Sequence, residues 1–169
     1  TARSLVAMSR ACRGSVVGGL VLLAVLTLGS CRYAAYQKQM QTEEIPEGVW
    51  TAAHRISFDS FVEQPRTPHT LYLYVRYNSR YAYTTLPLTV ELRSALGWSA
   101  TTTLALSLTE GPGIWSGKGY ALRQQLYKVN TLLMPPHPGL YTIELRQATG
   151  QATLAGIETI GVAWVAAEQ

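Results

Sequence analysis

The reactive group with the most defined setting in the chain is the thiol of Cys31. It closes "LGSC", Leu28 to Cys31, with an aliphatic residue three positions before it and small residues at the two positions between. This is the residue pattern of a bacterial lipobox, and the chemistry requires these types. A thiolate is nucleophilic enough to take a diacylglycerol as a thioether. Small residues before it let the backbone lie extended in a signal peptidase cleft. Cleavage then frees the amine of Cys31 for N-acylation, for example by palmitate. One acyl chain binds a bilayer only marginally, at about 0.8 kcal/mol per buried methylene, so two or three chains are needed for a stable anchor.

The flanking sequence fits that reading. Arg3, Arg10 and Arg13 precede a run without charge from Gly14 to Ser30, whose densest part is Val16 to Leu28. A membrane helix needs roughly 20 apolar residues to cross about 30 Å of hydrocarbon. A basic start, a short apolar middle and a small-residue end is instead the layout of a cleaved secretory signal. The alternative is an uncleaved helix that ends in cysteine. Met8 is a candidate start of a more compact signal than Thr1 provides.

Elsewhere the chain offers little chemistry. His54, His69 and His137 are far apart, and no HxH, HExxH or Cys/His cluster is present, so no metal motif is recognisable. No serine sits in a GxSxG elbow; Ser116 lies in "WSG" without the preceding glycine. Asp59 is the only aspartate, and the pair Glu43 and Glu44 has no evident scaffold. "GPGIWSGKGY", Gly111 to Tyr120, lacks the spacing of a phosphate-binding loop, because Pro112 replaces the first glycine and Gly119 the final Ser/Thr. No catalytic residue, metal ligand or cofactor site is expected. The candidate interaction residues are Trp115 and Lys118, between glycines, and the tyrosines Tyr72, Tyr74, Tyr77, Tyr81 and Tyr83, grouped around one turn. Aromatics on a wet sheet face bury area at low entropic cost and suit a protein or a sugar. They also fill ordinary strand positions, and a structural loop explains Trp115 equally.

Charge excludes a nucleic-acid reading. Three of the 14 Lys and Arg residues and none of the 10 Asp and Glu residues lie in residues 1–30, so the chain from Cys31 onward carries 11 bases, 10 acids and a net charge of +1. The basic isoelectric point belongs to the leader, not to a binding face. The remaining 139 residues suit one domain. With Cys12 in the leader and Cys31 committed to lipid, that domain has no disulfide available.

The elements that must position these side chains read as strands. "TLYLYVRY" sets Leu71, Leu73 and Val75 against Tyr72, Tyr74 and Arg76; "LPLTVEL" sets Leu86, Leu88, Val90 and Leu92 against Pro87, Thr89 and Glu91. "TLALSL", "LYTIELR" and "IGVAW" alternate in the same way, which means one buried and one wet face. "HRISFDSF" and "ALRQQLYKVNTLLM" are noisier. The second could be a helix from its Leu122, Leu126 and Val129 spacing, but its Tyr, Val, Asn and Thr favour a strand. Pro87 predicts an edge strand or a position without a ladder bond. Turn residues punctuate every run, so the fold expected is all-β, an antiparallel β-sandwich of about seven to eight strands. The expected organisation is a lipoprotein signal peptide over 1–30, a lipidated tether over 31–44 and the β-sandwich domain over 45–169. Tyr33 and Tyr36, three apart, are compatible with a short helix in the tether.

Taken together, the Leu28–Cys31 pattern, a short tether, "IPEGVW", "YVRYNSRYAYTTLPLTVEL", "GIWSGKGY" and "GLYTIELRQAT…LAGIETIGVAWV" resemble the gliding motility lipoprotein GldH family of Bacteroidota, collinearly from Ile45 to Val165. "TEGPG" departs from the aspartate-proline-threonine-glycine turn more frequent in that family, and the segment after "RQAT" is shorter. The resemblance implies a cell-envelope lipoprotein needed for gliding and linked to the type IX secretion machinery. It implies no enzyme activity and no cofactor beyond the lipid on Cys31, and it brings no catalytic or ligand site. Arg32 rather than aspartate follows Cys31, and acids arrive only at Glu43, which leads us to expect the periplasmic face of the outer membrane. Expected partners are membrane lipid and other gliding or type IX secretion envelope proteins. The alternative function is a glycan- or peptide-binding lipoprotein that uses the tyrosine cluster and Trp115.

Overall fold

The computed structural model describes residues 36–111, 114–117 and 121–167. Residues 1–30, expected as a signal peptide, and Cys31, Tyr33 and Lys118 lie outside the described residues. The strands, in chain order, are β1 (Gln41–Glu44), β2 (Val49–Thr51), β3 (Ile56–Val62), β4 (His69–Asn78), β5 (Thr85–Ser94), β6 (Ser99–Ser107), β7 (Thr109–Gly111), β8 (Ile114–Trp115), β9 (Leu122–Leu133), β10 (Gly139–Gln147), β11 (Thr153–Ala155) and β12 (Ile157–Ala166). One sheet has the order β1-β12-β4-β9 and a second the order β3-β10-β5-β6; β2 with β11 and β7 with β8 form small two-stranded additions. All pairings are antiparallel. Counting only the eight strands of the two large sheets, their orders are 1-8-3-6 and 2-7-4-5. That is the winding of a jelly roll, a particular form of the sandwich expected from the alternation.

The period-two pattern builds the core directly. Leu71, Leu73 and Val75 of β4 and Ile160, Val162 and Trp164 of β12 share one cluster with Ile56 and Phe58 of β3, Leu86, Leu88, Val90 and Leu92 of β5, and Tyr141, Ile143 and Leu145 of β10. An aromatic seam ties the sheets at one end: Trp98 lies 5.7 Å from Tyr141, Tyr141 lies 5.3 Å from Trp164, and Trp164 lies 4.9 Å from His69. At this end β3, β5 and β9 finish and β4, β6 and β10 begin. The connections 63–68 and 134–138 carry five of the eight prolines, and we call it the proline-rich end.

Both noisy segments are strands, β3 and β9. Pro87 lies in an interior strand, not at an edge. Its carbonyl accepts the N–H of Ala148 at 2.9 Å, one step past the Gln147–Leu88 pair, so its missing donor falls where β10 has ended. The segment expected as a tether behaves differently over its last four residues. Gln41–Glu44 is β1, paired with Val162 to Thr159 of β12, so the sheet starts before the buried Ile45. "QTEE" has no apolar alternation; its strand conformation comes from backbone pairing with β12.

Gly156 sits at φ +93° where β11 meets β12, and a Cβ there would overlap the backbone nitrogen of Tyr81. Gly97, in the β5–β6 turn, has φ +87° with open space around it. Gly97→Ala should therefore cost only the left-handed penalty of about 1 kcal/mol. Gly156→Ala adds a backbone collision and should cost more than about 3 kcal/mol. The difference in urea midpoint between the two variants measures the close approach.

Candidate functional site

The five tyrosines singled out in the sequence do not form one surface. Tyr77 and Tyr81 are buried. The Tyr77 hydroxyl donates to the carbonyls of Leu108 and Ser116, fixing the β7–β8 hairpin to the body, and the Tyr81 hydroxyl donates to the Thr85 carbonyl at 2.8 Å. Their assignment to an interaction surface is corrected: β4 turns the Tyr77 ring inward, the connection after it places the Tyr81 ring in the core, and nearby carbonyls satisfy both hydroxyls. Tyr83 is 47% exposed and meets Tyr81 edge-on at 5.6 Å. Trp115 is half-buried, 6.2 Å from Tyr77, with the Arg123 guanidinium 6.0 Å from its ring centre. Its indole folds back on the sandwich and forms part of the scaffold.

Tyr72 and Tyr74 do share a face, the outer side of the β1-β12-β4-β9 sheet. Small residues flank them: Gly161 is opposite Tyr74 and Ala163 opposite Tyr72. On the other side Tyr72 faces Lys128 and Tyr74 faces Leu126. The chain before β1, helical over residues 36–39, crosses this face, and the Tyr36 ring stacks on Tyr72 at 5.1 Å. Beside it opens a groove of about 760 Å³, lined by Tyr36, Met40, Tyr74, Glu110, Gln124 and Leu126 among others. The Tyr74 hydroxyl donates to Gln124 Oε1 at 2.8 Å, which holds both polar ends at the rim. Aromatic and aliphatic walls with amide and hydroxyl rims suit an extended peptide or a sugar.

Sequence reasoning missed Tyr36, Met40, Gln124 and Leu126. The parity of β4 did mark Tyr74 as outward. What no local pattern marks is the return of residues 36–40 across that face.

The outer face of the other sheet carries a charge ladder. Glu144 and Glu91 are directly opposite one another on β10 and β5, an arrangement that repels on its own. Three arginines interleave them. Arg93 makes two hydrogen bonds to Glu91, at 2.7 and 2.9 Å; Arg146 lies 3.4 Å from Glu144 and 3.6 Å from Glu91; Arg55 lies 3.3 Å from Glu144. The hydrogen bond from Arg93 is the largest cause holding the Glu91 carboxyl below its ordinary value. Every charge here has a partner, which makes the ladder structural. Among the described residues no group of three or more His, Cys, Asp and Glu side chains could hold a metal ion.

A family model described as GldH lipoprotein matches residues 37–163. The chain belongs to the GldH lipoprotein family. This is a family of gliding-motility lipoproteins, and the match begins six residues after Cys31. No curated protein matches the sequence. Among solved structures, the GldH-family chain is similar to the Aeromonas sobria serine protease in complex with its chaperone, at TM-score 0.36 and 13% identity over 77% of this chain and 26% of that one. It is also similar to the infectious bursal disease virus VP2 subviral particle, at TM-score 0.32 and 13% identity over 76% and 33%, and to a family 16 carbohydrate-binding module, at TM-score 0.28 and 11% identity over 75% and 85%. The chain thus spans about a quarter to a third of the first two. Likenesses this distant say nothing about function.

Burial raises the ionisation of Tyr81 and Tyr127 well above the ordinary phenol value near 10, with the neighbouring Tyr83 and Tyr77 adding to it. A raised folded-state value means the native chain holds protons that the unfolded chain gives up above pH 10, so stability declines as pH rises beyond that point. Absorbance titration at 295 nm should show these two phenols ionising only with unfolding. Tyr127→Phe should reduce the steepness of the alkaline loss of stability.

Proposed function

We propose that this GldH-family chain is held at the periplasmic face of the outer membrane by acyl chains on Cys31. It acts there without catalysis, as a docking module for other envelope proteins of the gliding and type IX secretion machinery. The observation that carries this reading is the family match over residues 37–163, directly downstream of Leu28-Gly29-Ser30-Cys31. The jelly roll supports it in that the outer sheet faces are built on paired strands, which hold surface side chains more firmly than loops do.

A second reading has its own support in the groove beside Tyr36, Tyr74 and Gln124, whose size and lining fit a short glycan or peptide segment. The two readings separate by experiment. Affinity purification from detergent-solubilised envelopes should recover type IX secretion components with the docking module. Calorimetric binding of envelope polysaccharide, lost in Tyr74→Ala, without recovery of those components would favour the ligand-binding reading.

Cys31→Ser removes the acyl acceptor. The variant should lose palmitate incorporation and either accumulate as precursor or leave the membrane fraction. Wild-type protein should resist protease in intact cells and be digested after permeabilisation. Unchanged membrane retention of Cys31→Ser, or digestion in intact cells, would contradict the proposal.

A further inference from the structure

The two ends of the jelly roll differ in kind. At the end opposite the prolines, loops are tied by charge: Arg80 lies 3.3 Å from Glu158 and donates to the Glu47 carbonyl at 2.8 Å. The proline-rich end exposes hydrocarbon. Phe61 is 68% exposed, Leu96 71%, Met134 55% and Leu140 51%, four of the six large exposed apolar side chains among the described residues. Phe61 and Leu140 are direct cross-strand partners on β3 and β10. Leu140 shares a surface depression with Ala95, the residue before Leu96. The connections that supply Leu96 and Met134, residues 95–98 and 134–138, contain no Asp, Glu, Lys or Arg; the third, 63–68, contains Glu63 and Arg66, which cancel. Large exposed apolar residues gathered in one region mark a contact surface.

The length of chain before the domain says what covers it. Tyr36 is fixed on Tyr72, three positions from the start of β4, or about 10 Å from the proline-rich end at a strand rise of about 3.3 Å. Cys31 is five residues before Tyr36, a reach of at most about 17 Å. That reach spans the step to the proline-rich end. The other end begins six positions beyond Tyr72, about 20 Å away before its loops are counted, and lies out of range.

We infer that the proline-rich end rests on the lipid surface, with Phe61, Leu96, Met134 and Leu140 in the interfacial layer. This rests on the anchoring of Cys31 proposed above. Attachment then has two parts, acyl chains in the hydrocarbon and an apolar rim in the headgroup region, and neither has to hold alone. The groove beside Tyr36 and the charged end are left facing away from or along the membrane, open to partners.

The test places a thiol-linked environment-sensitive dye at Leu96→Cys, at Glu47→Cys on the charged end, and at Lys128→Cys on the outer sheet face. Each full chain is expressed, purified as the cell processes it, and reconstituted into phosphatidylethanolamine and phosphatidylglycerol vesicles with nitroxide-labelled lipids. Mass spectrometry of the same sample reports the state of Cys31. The dye at position 96 should be quenched about twofold or more, as expected for a group in the interface, and those at 47 and 128 should not. Adding Phe61→Ser and Leu140→Ser should relieve that quenching with the thermal midpoint unchanged, because both side chains are exposed in the fold. Acylated Cys31 with an unquenched dye at 96, or with stronger quenching at 128, overturns the seating and leaves the anchoring intact. An unacylated Cys31 overturns the anchoring reading and removes the seating with it.

Discussion

Everything in this molecule depends on two pleated surfaces burying their inner faces against each other. Each large sheet concentrates its leucine, isoleucine, valine and aromatic side chains at the alternate positions that face the other sheet. Neither face is stable in water at this size, and no covalent crosslink within the described residues replaces the contact. The aromatic seam of Trp98, Tyr141, Trp164 and His69 closes the interface at one end. Tyr77 and Trp50 close the other with buried rings whose polar atoms reach carbonyls of Leu108, Ser116 and His54. Ring-bearing connections complete both closures, Trp98 from the β5–β6 turn at one end and Tyr81 from the β4–β5 connection at the other, while the exposed parts of the loops differ in character between the two ends.

The strands were legible because the constraint that makes them also writes their pattern. A strand with one buried face must alternate, and β4, β5, β10 and β12 do. The β9 pattern is noisy for a physical reason: it is the sheet edge beside the β7–β8 hairpin, where Arg123 stacks on Trp115 and Tyr127 reaches the carbonyl of Ser107. Inward positions there are partly polar, so periodicity fades. β1 was not legible at all. Its four residues bury little, and only the partner strand, more than a hundred positions away in sequence, makes them extended. The fate of the tyrosines was half legible. Parity sent Tyr72 and Tyr74 outward and Tyr77 inward, but grouping all five as a surface ignored that alternation. Tyr81 lies beyond the strand, where no parity applies.

These same long-range contacts decide how the family's lipoprotein character meets the fold. Were residues 31–44 a free tether, the domain could hang at any orientation, up to about 45 Å from its anchor. Because Tyr36 packs on Tyr72 and Gln41–Glu44 pairs with β12, only residues 32–35 remain between the sandwich and Cys31. A short leash turns membrane attachment into orientation. In the inferred seating, the groove beside Tyr74 and the charged end are left as candidate docking regions and the apolar end is given to lipid.

Amide hydrogen exchange over residues 36–44, followed by mass spectrometry on the membrane-attached protein, tests this account most directly. Pairing with β12 predicts that the amides of β1 that bond to β12 exchange far more slowly than an unstructured peptide of the same sequence, though faster than the core of β12 itself. Exchange of residues 41–44 at the unstructured rate, with β12 still protected, would mean that the leash is long and free, and would contradict the claim that the fold sets its own orientation on the membrane.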